Sequence, residues 1–212
     1  MQTQSEQALN NKEIAILPIA AFTASGQIER LITSLEHGLE SGLTVNTIKS
    51  VLVQMYAYAG FPRSLNGLGA FMAVLEARKR RGIVDEEGDA GRAITHGDSL
   101  EVGTRNQTLL VGQPVSGALF EFAPAIDAYL KAHLFGDIFQ SEVLSWKERE
   151  LATIAALANM NGVNSQLQAH YLIAMNNGVT PTQLKNFIDV MREECGEHIA
   201  LNAADVLNTV LN

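Results

Sequence analysis

Thiol chemistry has almost no material in this chain, because Cys195 is the one cysteine among 212 residues. An intramolecular disulfide is excluded, and compartment is left open by that count. Aromatic residues are also scarce, at 6% against 47% hydrophobic residues led by alanine and leucine. That balance favours close helix packing over a β-sandwich. Positive charge is short too, with 15 Lys and Arg against 23 Asp and Glu and a formal charge of −8. The one basic cluster, Arg78 to Arg81, is followed by Asp85, Glu86 and Glu87, so it reads as a solvated helix end favoured by the helix dipole and not as a nucleic-acid site. No apolar run approaches the roughly 20 residues that span a bilayer. Residues 1–7 are polar and lack the apolar region of a signal peptide. The expectation is a cytoplasmic protein, the alternative a periplasmic one whose leader has been removed.

What is there is helical rhythm. Between Trp146 and Val190, Glu150, Leu151, Ile154, Ala155, Leu157 and Ala158 recur at helical spacing until Asn161-Gly162 closes the run. A second helix is expected from about Ser165 to Met175, with His170 at its middle and Asn176-Asn177-Gly178 as its stop. Thr180-Pro181-Thr182-Gln183 then reads as an N-cap, a first-position proline and a capping-box Gln, turning Leu184, Phe187, Ile188 and Met191 inward.

These residues carry a resemblance. RELATIAAL, a glycine, QLQAH and AMNNGVTPTQL together resemble the carboxymuconolactone decarboxylase family of the alkylhydroperoxidase D-like superfamily. Upstream, SLEVGTRNQTLLVG and LFGDIF resemble its leading segment, so the likeness runs from about Ser99 to the C-terminus. It implies an all-α fold, a cofactor-free reaction and a homo-oligomer built from rings of such units, here a trimer imitating a hexamer.

The first half repeats the order of the second. Helices are expected over Glu13 to Thr23 with an interruption at Pro18, over Ile28 to Leu39, over Thr44 to Tyr58, and over Leu65 to Leu75 after a break at Gly60-Phe61-Pro62. A shift of 136 residues lays Gly42 on Gly178, Thr44 on Thr180, Met55 on Met191 and Gly60 on Gly196 without gaps, and Gly26 on Gly162 upstream. Matched glycines at helix ends are what a repeated fold requires. We therefore read two tandem helical repeats related by a pseudo-twofold: residues 1–81, a glycine-rich acidic linker 82–97 expected to be exposed, and residues 98–212. Residues 117–139 are expected to form one further helix with no counterpart in the first half. YAYAGFPRSLNG, in the first half, also resembles the end of the family's domain.

His170 is the histidine whose place suits proton transfer, since an imidazole can hold or give a proton near neutral pH. By resemblance it is the catalytic acid, and Glu150 the acidic residue that relays a proton to it. In the first half the shift puts Ser34 at that place, with His37 one turn on and Glu13 one residue off the counterpart of Glu150. That repeat has kept the scaffold and lost the proton donor. The superfamily's redox branch carries a Cys-x-x-Cys pair where this chain has Val163 and Gln166, so disulfide-based peroxidase activity is disfavoured. Cys195, in REECGEH, reads as a buried small hydrophobe, and with His198 offers too few ligands for a metal. The resemblance then implies decarboxylation or proton transfer on a small carboxylated lactone or oxo acid. Arg63 or Arg149 is available to hold its carboxylate. The other reading is a silent helical scaffold or ligand-binding protein.

Overall fold

A computed structural model describes residues 8–91 and 98–211, and among them every regular element is helical. The first half holds α1 (Asn11–Ser25), α2 (Ile28–Glu40), α3 (Val45–Gln54), α4 (Tyr56–Ala59) and α5 (Phe61–Arg80). After the connection come α6 (Ser99–Val111), α7 (Ala118–Phe122) and α8 (Pro124–Tyr129), which continues into a π-helical segment, Leu130–Ile138. The chain ends with α9 (Trp146–Ala158), α10 (Asn164–Asn176), α11 (Pro181–Cys195) and α12 (Glu197–Leu211). The protein is all-α.

The core is organised on α1 and α9, which pack on each other. Every residue from Ala15 to Ala24 and from Arg149 to Ala158 is buried. A helix apolar on all sides belongs inside a bundle, and the alanines let the neighbouring backbones come close. Around this pair, α2 packs on α1 and α5, while α10 packs on α9 and α12. Capping boxes open α1 (Asn10 with Glu13), α9 (Ser145 with Glu148) and α11 (Thr180 with Gln183). Each satisfies backbone N–H groups that a helix start leaves without partners.

Helix ends fall where the turn residues put them, with four differences. Helix α1 runs through Pro18 without interruption; the proline forfeits one intrahelical donor, and burial of all its neighbours holds the helix together. The expected 44–58 helix divides at Met55 into α3 and α4. Helix α5 starts at Phe61, directly after Gly60 at φ 84°, because Pro62 in the first turn lacks only an N–H that has no helical acceptor there. The single helix expected over 117–139 is broken at Ala123, which is extended (φ −132°, ψ 72°) because a residue before proline is pushed out of the helical region.

The π-helical segment lies along α6 at unusually short range. A Cβ on Gly103 would fall on the carbonyl of Lys131, and one on Gly136 on the carbonyl of Ser99. Asn106 donates to the Phe135 carbonyl (2.8 Å) across the same contact. Leu110, Leu134, Phe135, Ile138, Phe139 and Ile173 form a second apolar cluster, so the segment packs over its own half, on α6 and α10.

The segment expected to be an exposed linker is exposed but tied down over its described part. The carbonyls of Glu86 and Glu87 accept from the N–H groups of Val45 and Asn46 at the start of α3. Asp85 takes Arg78 in a bidentate pair, 2.8 Å to Nη2. Arg78 is thus buried, whereas Arg80 and Arg81 pair on the surface with Glu76 and Glu36, as a solvated helix end would. Residues 92–97 of that linker, and the polar start 1–7, lie outside the described residues.

The bounds of α2 and α10 are 136 residues apart at both ends, as are those of the α3–α4 pair and α11, and the starts of α5 and α12. Thr44 (φ −84°, ψ 161°) and Thr180 (φ −85°, ψ 158°) share one cap geometry, and Gly60 and Gly196 both take positive φ. The capping boxes of α1 and α9 stand 135 apart, which matches Glu13 with Glu148 and not with Glu150.

Candidate functional site

Helix α9 carries Glu150 in its second turn, inside the core, and α10 carries His170 at its middle. The two meet directly: Nδ1 of His170 lies 2.8 Å from Oε2 of Glu150. Glu150 is fully buried, and its other oxygen, Oε1, has no hydrogen-bond partner. A buried carboxylate is costly unless paired, so the imidazole is what makes this position tenable. With Nδ1 engaged, Nε2 is the ring nitrogen left for other chemistry. His170 retains 9% of its surface.

Tyr58, from α4 of the first half, packs against the imidazole. Its ring stands edge-on to the imidazole, centroids 5.8 Å apart at 78°. Its hydroxyl is buried without a partner in hydrogen-bond geometry. Burial raises the phenol's pKa far above its ordinary value, and the charge of Glu150 adds to this, against smaller opposing effects of Thr153 and Arg149. The hydroxyl therefore stays protonated and keeps its capacity to donate a hydrogen bond. Nothing in the local pattern of YAYAGF marks Tyr58, since its partners lie about a hundred residues on.

Arg149 points elsewhere. It is 1% exposed, donates through Nη1 to Oε1 of Gln54 (2.9 Å) and through Nη2 to the Ser141 carbonyl (2.9 Å), and lies over the Phe139 ring. Gln54 is fixed in turn, donating to the Arg149 carbonyl and to Thr153 (both 3.0 Å). Arg149 lines a cavity of about 380 Å³ between α3 and the end of the π-helical segment, and His170 is not among that cavity's lining residues. Arg63 is exposed on α5, its guanidinium beside Gly26 at the end of α1. The structure thus joins Glu150 to His170 and leaves both arginines out of that pair.

The remaining candidates are placed as follows. Ser34 is buried and donates to the Arg30 carbonyl (3.0 Å), while His37 is exposed beside Ser41. Glu13 caps α1 and pairs with Lys147 at 2.6 Å. Val163 and Gln166 open α10. Burial pushes the Cys195 thiol up to about 11, outweighing the neighbouring Asn159 and Arg30, so it carries almost no thiolate near neutral pH. Among the described residues no group of His, Cys, Asp and Glu could hold a metal ion, and no helix is long and apolar enough to cross a membrane.

Residues 124–209 match the model of the carboxymuconolactone decarboxylase family. This segment is similar to the carboxymuconolactone decarboxylase family. No curated protein matches the chain. The match starts at Pro124, so the resemblance seen from Ser99 onward is matched over α8 to α12, and neither α6 nor the first half, YAYAGFPRSLNG included, falls within it. Both members of the buried pair, Glu150 and His170, lie inside the matched segment; Tyr58, which packs against the imidazole, comes from outside it.

Proposed function

We propose that the chain catalyses cofactor-free decarboxylation, or the proton transfer within it, on a small carboxylated lactone or oxo acid. The observation that carries this is the 2.8 Å contact of His170 Nδ1 with the buried carboxylate of Glu150. The family supplies the reaction class. In the step, the carbon–carbon bond to the substrate carboxylate breaks, CO2 leaves, and the electron pair passes into a dienolate ending on the carbonyl oxygen. The imidazolium Nε2–H protonates the dienolate carbon, and water then returns a proton to the imidazole. Glu150 accepts from Nδ1–H throughout, which fixes the tautomer and stabilises the imidazolium. Tyr58, packed edge-on against the imidazole, helps to hold that ring in place. Helix-borne residues suit this work because they hold a proton donor rigidly over one carbon.

On the same reading the two halves are copies of one helical unit about a pseudo-twofold, residues 1–81 and 98–212, with the second copy holding the chemistry. Coincident helix bounds at a shift of 136 support it. A panel of carboxylated lactones and 3-oxo acids, followed by NMR for loss of the carboxyl carbon, tests the function. The wild type converts at least one acid and His170→Ala does not, although circular dichroism shows it folded. If no acid turns over, or His170→Ala is merely less stable and equally active, the pair is structural and the scaffold reading replaces this one.

A further inference from the structure

The cavity over Arg149 is a second polar site, distinct from the His170 pair. Its volume of about 380 Å³ falls within the about 300–1,000 Å³ usual for small-ligand sites. Arg149, one of its lining residues, is 99% buried, and among the described residues no carboxylate lies within ion-pair distance of its guanidinium. Its Nε is buried with no hydrogen-bond partner at all. Burying a cation without a counter-charge is costly, and burial lowers this group's pKa to about 10, which still leaves it charged at neutral pH. An anion delivered to the cavity would supply what the fold withholds.

The walls select the anion. Val53, Ile138 and Val143 give the cavity an apolar flank suited to an organic body. At the rim, Lys49 is held by Glu87 at 3.1 Å with both side chains half-exposed, a pairing weak enough to be exchanged. Asp137 also lines the cavity, engaged with Ser99 (2.6 Å) and His133 (3.0 Å), and a second negative group on the ligand would meet it. We propose that this cavity binds a small organic monocarboxylate, Arg149 holding the carboxylate at the buried end and Lys49 at the rim. The site is independent of the decarboxylation reading, since neither Glu150 nor His170 lines it.

Calorimetric titration of the full chain with benzoate tests it, with benzamide as the same shape without charge and inorganic phosphate as charge without the apolar body. Benzoate binds one site per chain and raises the melting temperature, whereas benzamide and phosphate do neither. Val53→Trp fills the cavity from its exposed edge and weakens benzoate by about tenfold or more; Arg149→Met abolishes binding, and should it fail to fold, Val53→Trp remains decisive. His170→Ala binds benzoate as the wild type does, so the two proposals can fail separately. No benzoate binding, an equal response to benzamide or phosphate, or loss of binding in His170→Ala with retention in Val53→Trp overturns the assignment.

Discussion

Glu150 and His170 are individually ordinary residues whose meaning comes from their separation. His170 was legible because it sits within a motif, and Glu150 because it stands in the preceding helix at a place where the resembled family has an acid. Tyr58 and Gln54 were not legible, since each is defined by contacts with a helix about a hundred residues away and neither has a local signature. Arg149 read as a substrate cation from its charge alone, and its direction on α9, about 100° from that of Glu150, sends it to another cavity. Cys195 gives a pH-dependent test at this scale. Its thiol keeps its proton to about 11 when folded, against 9.0 for the ordinary group. The folded state therefore binds more protons between those values, so this contribution is fully present below about 9 and is lost as pH rises toward 11. Urea midpoints of the wild type and Cys195→Ser measured across that range should converge or cross as pH rises, with the wild type losing more; parallel curves would refute the burial of the thiol. Alkyl hydroperoxide turnover that depends on Cys195 would refute its inertness.

Helix ends with a chemical stop were readable to within a residue or two at Gly26, Thr44, Gly60 and Thr180-Pro181, whereas α9 ends at Ala158, capped by Asn159 and four residues before Gly162. The π-helical segment was invisible, because its geometry follows from the close approach of α6 and not from its own side chains. Gly103→Ala tests that account. The added methyl falls on the Lys131 carbonyl, and overpacking of this kind costs about 1–3 kcal/mol; chemical denaturation should show such a loss, and an unchanged midpoint would mean that the contact is looser than described. Thr180→Ala removes the cap that donates structure to α11 and should cost about 1 kcal/mol, since Gln183 N–H then loses its acceptor at 3.2 Å. A loss below a few tenths of that, read from the same experiment, would show that packing alone fixes this helix start.

At the scale of the molecule the chain leaves large apolar side chains outside: Phe122 is 88% exposed, Met72 72% and Phe61 62%. Large apolar side chains left exposed are available to an interface, and further copies in a closed ring would cover them. We propose a trimer, with three chain masses in light scattering at micromolar concentration; a strictly monomeric mass would contradict it. The central claim remains that the buried pair moves a proton. Its most direct measurement is turnover in D2O of the acid that the NMR panel identifies, comparing wild type, Glu150→Gln and His170→Ala. The account predicts one deuterium on the carbon that lost CO2 in the wild-type product, with both variants folded and slower by about 10²–10⁴-fold, the usual contribution of a positioned acid. Wild-type rates in either variant would contradict it.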